Sequence, residues 1–248
     1  RGHKVSLYEK RDQFGGQVRF AAKGAGRGEL EGIIRHLSIQ VEKMNIETHL
    51  DTEVTPEMVK ESNPDAVIVA TGSIPRRKSF TGIPSFDPDI QDPVGSEQSN
   101  VLTSLDLLEN EAETGRKVIV ADDGEGNWKA VSIAELLFDR GKDVELVTPL
   151  EFARDLTAER RIPVLKRFLK KGIKITPYTM IREIKDKTVV LYNIYSRQET
   201  IVEDVDNVVL AYFHQANDAL YFDLKGKVKE LYRIGDCMAP RMIGDAIR

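Results

Sequence analysis

Short apolar runs alternate with longer amphipathic stretches along the chain, which predicts alternating strands and helices. Apolar positions spaced three and four residues apart predict helices at 30–45, 129–140 and 161–171, with a shorter one at 104–111. Segments of alternating polarity at 173–178, 188–195 and 199–202 predict antiparallel strands. The other predicted strands are short apolar runs, at 4–9, 46–50, 65–70, 117–121, 143–147, 205–212 and 231–234.

The stretch 117–148 has the order and length of a βαβ unit, with a glycine-containing turn after its first strand and Gly141 after its helix. Such a unit implies parallel strands joined by a right-handed crossover. Residues 73–99 contain four prolines, which predicts a long connection. The pattern predicts an α/β protein with two Rossmann-like units, in which the second unit (98–215) is inserted into the first (1–97 and 216–248).

Composition narrows the class of protein. The chain of 248 residues has 40 acidic and 36 basic residues, well mixed, which argues against a nucleic-acid surface. No apolar run approaches the roughly 20 residues of a membrane span, so we expect no membrane contact. The single cysteine, Cys237, excludes an internal disulfide, a CxxC redox pair and a cysteine-rich cluster in this chain, and favours a cytoplasmic protein. The four histidines lack metal-ligand spacing, so no metal site is predicted.

Polar and glycine-rich features follow several predicted strands. Glu9 ends a strand, where dinucleotide folds place an acid that binds the adenosine ribose. The glycine fingerprint of such a fold lies roughly 20 residues before that acid. Only eight residues precede Glu9, so we expect the first strand and the glycine loop of the first unit to be missing from this chain. Taken singly, these strand-end features are also typical of ordinary turns.

Their combination resembles a known family. The motifs are Tyr8-Glu9-Lys10, Phe14-Gly15-Gly16, Ala70-Thr71-Gly72 and Gly235-Asp236-Cys237-Met238-Ala239-Pro240-Arg241. Together they resemble the two-dinucleotide flavoproteins, and in particular the C-terminal halves of trimethylamine dehydrogenase, dimethylamine and histamine dehydrogenases, N-methylproline demethylase and 2,4-dienoyl-CoA reductase. The resemblance covers essentially the whole chain.

The resemblance implies FAD or ADP in the first unit. Glu9 would bind the adenosine ribose, Val54 would meet the adenine through its backbone, and Asp236 would reach the ribityl or pyrophosphate end. FMN and a 4Fe–4S cluster would belong to an N-terminal barrel outside this chain, so no catalytic residue is assigned here. The cofactor-binding residues implied are Glu9, Lys10, Gly15, Gly16, Gln17, Val54, Ala70, Thr71, Gly72, Gly235, Asp236 and Arg241.

The glycine loop of the second unit departs from a nicotinamide-binding loop. Residues 122–130 keep two glycines, but Lys129 or Ala130 takes the place of the third. Three acids crowd the pyrophosphate position: Asp122, Asp123 and Glu125. Thr148 stands where the first unit has Glu9, and Arg154 is the nearest candidate for a 2′-phosphate. We therefore expect a degenerate unit that binds NAD(P)H weakly or not at all, and keep a divergent working site as the alternative.

The sequence thus predicts the nucleotide-binding module of a flavin and iron–sulfur oxidoreductase that oxidises N-methylated amines. One alternative is a module of an NAD(P)H-dependent enoate or dienoyl reductase, and another is a non-redox, structural ADP-binding domain. The complete protein is expected to be an enzyme, whereas this part alone is expected to be inactive. The expected partners are its own barrel, an electron-transfer protein and further copies of the same protein.

Overall fold

The chain is described by a computed structural model over residues 2–78, 92–124 and 126–241. Two predicted features lie outside these residues: about half of the proline-rich connection, with Pro84 and Pro88, and Glu125 of the second glycine loop. The strands are β1 (Ser6–Tyr8), β2 (Glu47–His49), β3 (Ala66–Val69), β4 (Ser73–Pro75), β5 (Val101–Thr103), β6 (Lys117–Asp122), β7 (Asp143–Val147), β8 (Lys174–Thr176), β9 (Thr179–Lys185), β10 (Thr188–Asn193), β11 (Glu199–Val202), β12 (Asn207–Ala211), β13 (His214–Ala216) and β14 (Glu230–Arg233). The helices are α1 (Gly16–Ala22), α2 (Glu31–Lys43), α3 (Pro56–Ser62), α4 (Ser104–Leu108), α5 (Trp128–Asp139), α6 (Ala158–Lys171) and α7 (Ala219–Leu224).

The described chain forms two compact units. Unit 1 comprises Arg1–Ala22, Gly28–Ile74 and His214–Arg248, and unit 2 comprises Lys23–Arg27 and Pro75–Phe213. Unit 2 takes in residues before the expected position 98, since Val94 bridges to Glu183 and Arg77 donates hydrogen bonds to the carbonyls of Ser96 and Val101.

Unit 2 contains a five-stranded parallel sheet with the order β5-β12-β6-β7-β8. The middle of β6 is an unbroken apolar run, Val118 to Val120, and is fully buried, as expected for a strand covered on both faces. Helix α5 follows β6, capped by the Asn127 side chain and ended by Gly141 at φ 78°. The predicted α/β class with a Rossmann-like parallel sheet is confirmed.

A three-stranded antiparallel sheet, in the order β11-β10-β9, also belongs to unit 2. Its apolar side chains, among them Ile181 and Val189, join those of the parallel sheet in one buried cluster. The antiparallel prediction was wrong for 173–178, because β8 pairs in parallel with β7 at the edge of the larger sheet. Strand β9 was not predicted from the sequence, and its charged residues occupy its more exposed positions.

Unit 1 contains two separate parallel pairs, β1 with β2 and β14 with β3, together with the short pair β13 and β4. One face of the β3–β14 pair is covered, because Val67, Val69 and Leu231 pack with residues of α3 and α7. On the other face Ile68 and Tyr232 are paired in register and remain 62% and 52% exposed. In the described part of unit 1, the β3–β14 pair is therefore covered on one face and exposed on the other.

Candidate functional site

The predicted strand-end motifs of unit 1 meet at one place. Strands β3 and β14 run in parallel with Val69 opposite Arg233, and the Ile234 amide donates to the Val69 carbonyl at 3.1 Å. The segments Ala70-Thr71-Gly72 and Gly235-Asp236 therefore leave neighbouring strands at the same edge. The Thr71 hydroxyl lies 3.2 Å from the buried Cys237 sulfur, which joins the two segments directly.

Asp236 is anchored at this edge through both carboxylate oxygens. Its Oδ2 accepts a hydrogen bond from Ser73 Oγ at 3.0 Å, and its Oδ1 accepts one from the Arg241 backbone amide at 3.2 Å. The carboxylate is only half-buried, so its remaining lone pairs are within reach of a ligand.

Ser73 connects Asp236 to two further side chains. Gln17 Nε2 donates to Ser73 Oγ at 3.0 Å and also to the Ser73 carbonyl oxygen, and His214 Nδ1 lies 3.2 Å from Ser73 Oγ. Gln17 was predicted from the sequence as a site residue, whereas Ser73 was not, and His214 was considered only as a metal ligand. The one available signal was the place of Ser73 directly after the Ala70-Thr71-Gly72 motif.

Hydrogen bonds between Asn217 and the Thr71-Gly72 segment hold the turn after β3. The Thr71 hydroxyl donates to the Asn217 carbonyl, the Asn217 amide donates to the Gly72 carbonyl at 3.0 Å, and the Asn217 side chain donates to the Thr71 carbonyl at 3.3 Å. Asn217 is a second residue that the sequence analysis missed.

The glycines of the site have different reasons to be glycine. Gly16 and Gly72 have φ values of 48° and 75°, and a Cβ atom on either would point into open space. Both thus leave room for a ligand to approach the backbone. Gly15 has φ 111°, and its Cβ would lie 2.8 Å from side-chain atoms of both Arg19 and Ile34. Close packing against α1 and α2 already accounts for Gly15.

Glu9 and Lys10 directly follow β1 of the other parallel pair, and Val54 lies between β2 and α3. The Glu9 amide donates to the His49 carbonyl at 2.9 Å, and one carboxylate oxygen of Glu9 accepts the Arg11 amide at 2.9 Å. Lys10 is exposed and lies 3.5 Å from Glu53, while Val54 packs against the apolar cluster of unit 1. Glu9 thus stands directly after β1, with one carboxylate oxygen held by the Arg11 amide.

These features fit the ribose-facing part of a nucleotide. Two carboxylates follow parallel strands, which is where open α/β sheets bind ligands, and carboxylates accept hydrogen bonds from ribose hydroxyls. A pyrophosphate also needs free backbone amides at a glycine loop and helix start. In the described part of unit 1, the helix that begins at Gly16, α1, has only seven residues.

The glycine loop of unit 2 is occupied by its own side chains. Asp122 follows the apolar part of β6, is nearly fully buried, and accepts hydrogen bonds from the Gly126 amide at 3.3 Å and the Thr148 hydroxyl at 2.9 Å. The Asp155 amide donates to the Gly126 carbonyl at 2.9 Å. A Cβ atom on Gly126 would lie 3.2 Å from Arg154. The segment after β7 therefore packs directly against the glycine loop.

Further contacts use the polar groups around this loop. Asp123 is buried and accepts the Phe213 amide at 2.8 Å, and the Lys129 ammonium donates to the Tyr212 carbonyl at 2.9 Å. Burial and then the charges of Asp123 and Asp122 raise the pKa of Tyr212, which keeps its hydroxyl neutral. The Arg27 guanidinium stacks 4.9 Å from the centre of the Trp128 ring.

The described residues of this loop use within the protein polar groups that a nicotinamide dinucleotide would contact. A nicotinamide dinucleotide site needs a loop amide that faces the pyrophosphate and an acceptor that faces the adenosine ribose. Here the Asp122 carboxylate holds the Gly126 amide and the Thr148 hydroxyl, and residues 154 and 155 cover the loop. Buried acids also disfavour a pyrophosphate, since like charges repel strongly where water is excluded.

Among residues 2–78, 92–124 and 126–241, no three His, Cys, Asp or Glu side chains are grouped as metal ligands would be. None of the helices in this part of the chain has the length and apolar character needed to cross a membrane.

Comparison with known proteins gives consistent matches. The sequence profile of the family described as pyridine nucleotide-disulphide oxidoreductase matches residues 2–243. An N,N-dimethylglycine/sarcosine dehydrogenase of Chromohalobacter salexigens is 29% identical over 100% of the chain, which covers 40% of that protein. A probable N-methylproline demethylase of Rhizobium meliloti is 28% identical over 100% of the chain, which covers 39% of it.

A solved structure extends the match to three dimensions. The structure of 2-naphthoyl-CoA reductase with 2-naphthoyl-CoA has a TM-score of 0.85 and 29% identity, over 100% of this chain and 35% of that one. The chain thus spans about two fifths of the length of the curated relatives that it matches.

Proposed function

Because the chain belongs to the pyridine nucleotide-disulphide oxidoreductase family, we propose that it is the nucleotide-binding C-terminal module of a flavin and iron–sulfur oxidoreductase that oxidises N-methylated amines. The relatives named as a dimethylglycine/sarcosine dehydrogenase and an N-methylproline demethylase support this substrate class. The module contributes nucleotide binding, and the catalytic centre, with FMN and a 4Fe–4S cluster, lies in an N-terminal barrel of the complete protein.

The architecture proposed is two Rossmann-like units, with the second inserted into the first and the first lacking its central strand. In unit 2 the order β8-β7-β6-β12 places β6, the strand of the glycine loop, between β7 and β12. In unit 1, β1 with β2 matches β7 with β8, and β3 matches β12, but the described residues include no counterpart of β6. A strand pairing with both β1 and β3, followed by a helix over Ile68 and Tyr232, completes the fold.

FAD, or ADP alone, is the ligand of unit 1. Its support is Glu9 and Asp236 at strand ends and the open space beside Gly16 and Gly72. We predict that the present 248-residue chain binds FAD at least about tenfold more weakly than the complete protein, because the helix start that neutralises the pyrophosphate is supplied from outside it. Titration of both proteins by flavin fluorescence measures the ratio, and stoichiometric yellow flavin on the isolated chain would refute the prediction.

The occupied glycine loop of unit 2 is the observation that carries the amine-oxidising assignment. A reductase of the dienoyl-CoA type takes its electrons from NADPH at such a unit, whereas an amine dehydrogenase takes them from the amine itself. The Asp122–Thr148 hydrogen bond and the packing of Asp155 on Gly126 support an enzyme that does not use NAD(P)H.

Anaerobic mixing of the complete native protein tests this assignment. We expect sarcosine, dimethylglycine or N-methylproline to bleach the flavin absorbance at catalytically competent rates. NADH and NADPH should neither bleach it nor bind in the micromolar range. Rapid bleaching by NADH or NADPH, with none by the amines, would favour the reductase.

The enoate or dienoyl reductase remains the second candidate because of the structural match to 2-naphthoyl-CoA reductase. A non-redox ADP-binding domain is the candidate from another class, and mass spectrometry of the ligand released from the complete protein separates ADP from FAD. We also propose a cytoplasmic homo-oligomer that contacts its own barrel and passes electrons to an electron-transfer protein.

A further inference from the structure

Ser73 is a buried residue at the centre of a hydrogen-bond network in unit 1. Its side chain is 6% exposed, and its hydroxyl oxygen has three polar neighbours: Gln17 Nε2, His214 Nδ1 and Asp236 Oδ2. A hydroxyl has one proton to donate and two lone pairs that accept. The hydrogen-bonding capacity of the Ser73 hydroxyl is therefore fully used if one neighbour accepts its proton and the other two donate to its lone pairs.

The chemistry of the neighbours assigns each hydrogen bond. Gln17 directs its amide nitrogen here, because the same atom also meets the Ser73 carbonyl oxygen, which can only accept. An ionised carboxylate can only accept, so the Ser73 proton points to Asp236 Oδ2. His214 must then donate, which places a proton on Nδ1 in both the neutral and the cationic ring.

We propose that Ser73 is a positioning residue for the nucleotide ligand, and that the Nδ1–H tautomer of His214 keeps the Ser73 proton directed at Asp236. The inference rests on the proposed function, in which Asp236 contacts the ribityl or pyrophosphate end of the ligand. Ser73 holds one carboxylate oxygen and the Arg241 amide holds the other, so the carboxylate is preorganised before the ligand arrives.

The network also couples the two strand-end motifs. Ser73 directly follows Gly72 and begins β4, and Asp236 directly follows Gly235 after β14. A ligand group hydrogen-bonded to Asp236 therefore lies at a set position relative to the open backbone at Gly72. Without the Ser73 hydroxyl, Asp236 keeps its charge but loses the contact that sets its rotamer.

The test measures FAD affinity in the complete native protein by flavin fluorescence. Ser73→Ala is expected to weaken binding about tenfold, since hydrogen bonds to charged groups are the stronger ones. Ser62→Ala is the matched control, because Ser62 Oγ donates only to the Val59 carbonyl at the end of α3. An unchanged affinity in Ser73→Ala would overturn the proposal.

A double-mutant cycle separates positioning from general loss of structure. In an Asp236→Ala background, Ser73→Ala should weaken binding less than about twofold further, because its target is gone. A full tenfold additional loss there would mean that Ser73 acts through the fold and would contradict the positioning role.

His214 is tested by a conservative pair. His214→Asn retains an N–H donor near Nδ1 and should keep affinity within about twofold, whereas His214→Leu should weaken binding several-fold. Equal affinities for the two variants would contradict the tautomer assignment.

The outcome for Asp236→Ala distinguishes failure of the proposed nucleotide site from failure of the positioning role of Ser73. If Asp236→Ala leaves FAD affinity unchanged, the proposed site itself fails. If Asp236→Ala weakens binding and Ser73→Ala does not, the site stands and only the positioning role is lost.

Discussion

The Asp206 side chain holds the backbone at the start of β6, a central strand of the parallel sheet in unit 2. Its carboxylate accepts the amides of Lys117 and Arg116 at 3.0 and 2.8 Å, and the Lys187 ammonium at 2.9 Å. These hydrogen bonds, led by that of Lys117, lower the pKa of Asp206 from its ordinary 3.8 to about 2. Gly115 is required beside it, because a Cβ there would lie 2.3 Å from the Asp206 Cβ.

The lowered pKa predicts an acid-dependent contribution to stability. A carboxyl group whose pKa is lower in the folded state stabilises the fold above its unfolded pKa, and this contribution is lost as the pH falls from about 4 to about 2. Asp206→Asn should therefore lower the urea midpoint at pH 7, and the difference from wild type should shrink at pH 3. Urea unfolding at both pH values measures it.

Asp186→Asn provides the control for this prediction. Asp186 is exposed in the adjacent turn at φ 50°, a conformation that asparagine also adopts readily. The urea midpoint of Asp186→Asn should equal that of wild type at both pH values. A pH-independent loss in Asp206→Asn would contradict the linkage.

The residues of the second glycine loop show a limit of prediction from sequence. The acids at Asp122 and Asp123 and the missing carboxylate at Thr148 are visible in the sequence. Their consequence was predicted as repulsion of a pyrophosphate. The hydrogen bond between Asp122 and Thr148 was not predictable, because it depends on which way a buried side chain turns.

Among the elements, helices α5 and α6 are joined by a buried carboxylate. Glu135 on α5 is 4% exposed and receives a bidentate pair from Arg167 on α6, at 3.0 and 2.9 Å, with Lys171 at 3.1 Å. The Arg167 hydrogen bond lowers the pKa of Glu135 against the effect of its burial. Two basic residues of α6, Arg167 and Lys171, thus form a contact between the helices rather than a solvated face.

Arg167→Ala is expected to destabilise unit 2 by about 1–2 kcal/mol, since it leaves a buried carboxylate with one partner but removes a half-exposed arginine. Chemical unfolding followed by circular dichroism measures this change. Lys166→Ala, on the exposed face of the same helix, should change stability by less than about 0.5 kcal/mol. Equal effects of the two variants would contradict the role of the pair.

Elements were predictable where a single pattern dominated. The observed bounds of strand β7 (Asp143–Val147) and helix α5 agree with their predicted bounds within one residue, because apolar runs and a glycine stop mark them. Strand β8 was assigned the wrong direction, because alternation of polarity occurs both in antiparallel strands and at the edge of a parallel sheet. Helix α1 was missed, since its glycines suggested a ligand loop.

For the whole molecule, the two units differ in how completely their strands are paired. In unit 2, strands β12, β6 and β7 each have a partner on both sides. In the described part of unit 1, each strand of the two parallel pairs has one partner. Isolated strand pairs are marginally stable, so unit 1 is expected to open more readily.

Hydrogen exchange measures this difference. In the present chain, amides of β1 and β3 should exchange at least about tenfold faster than those of β6 and β12. In the complete protein, the exchange of β1 and β3 should slow if a strand inserts between them. Equal protection of β1 and β6 in the present chain would contradict the incomplete sheet.

The sequence by itself determined the α/β class, the order of most elements and the strand-end motifs that carry the family resemblance. These depend on local periodicity and on glycines at strand ends, which are short-range properties. Only the tertiary structure decided that Ser73 meets His214, 141 residues away, and Asp236, 163 residues away. It alone decided that Asp122 turns onto its own loop, because such contacts depend on packing between distant segments rather than on their local sequence.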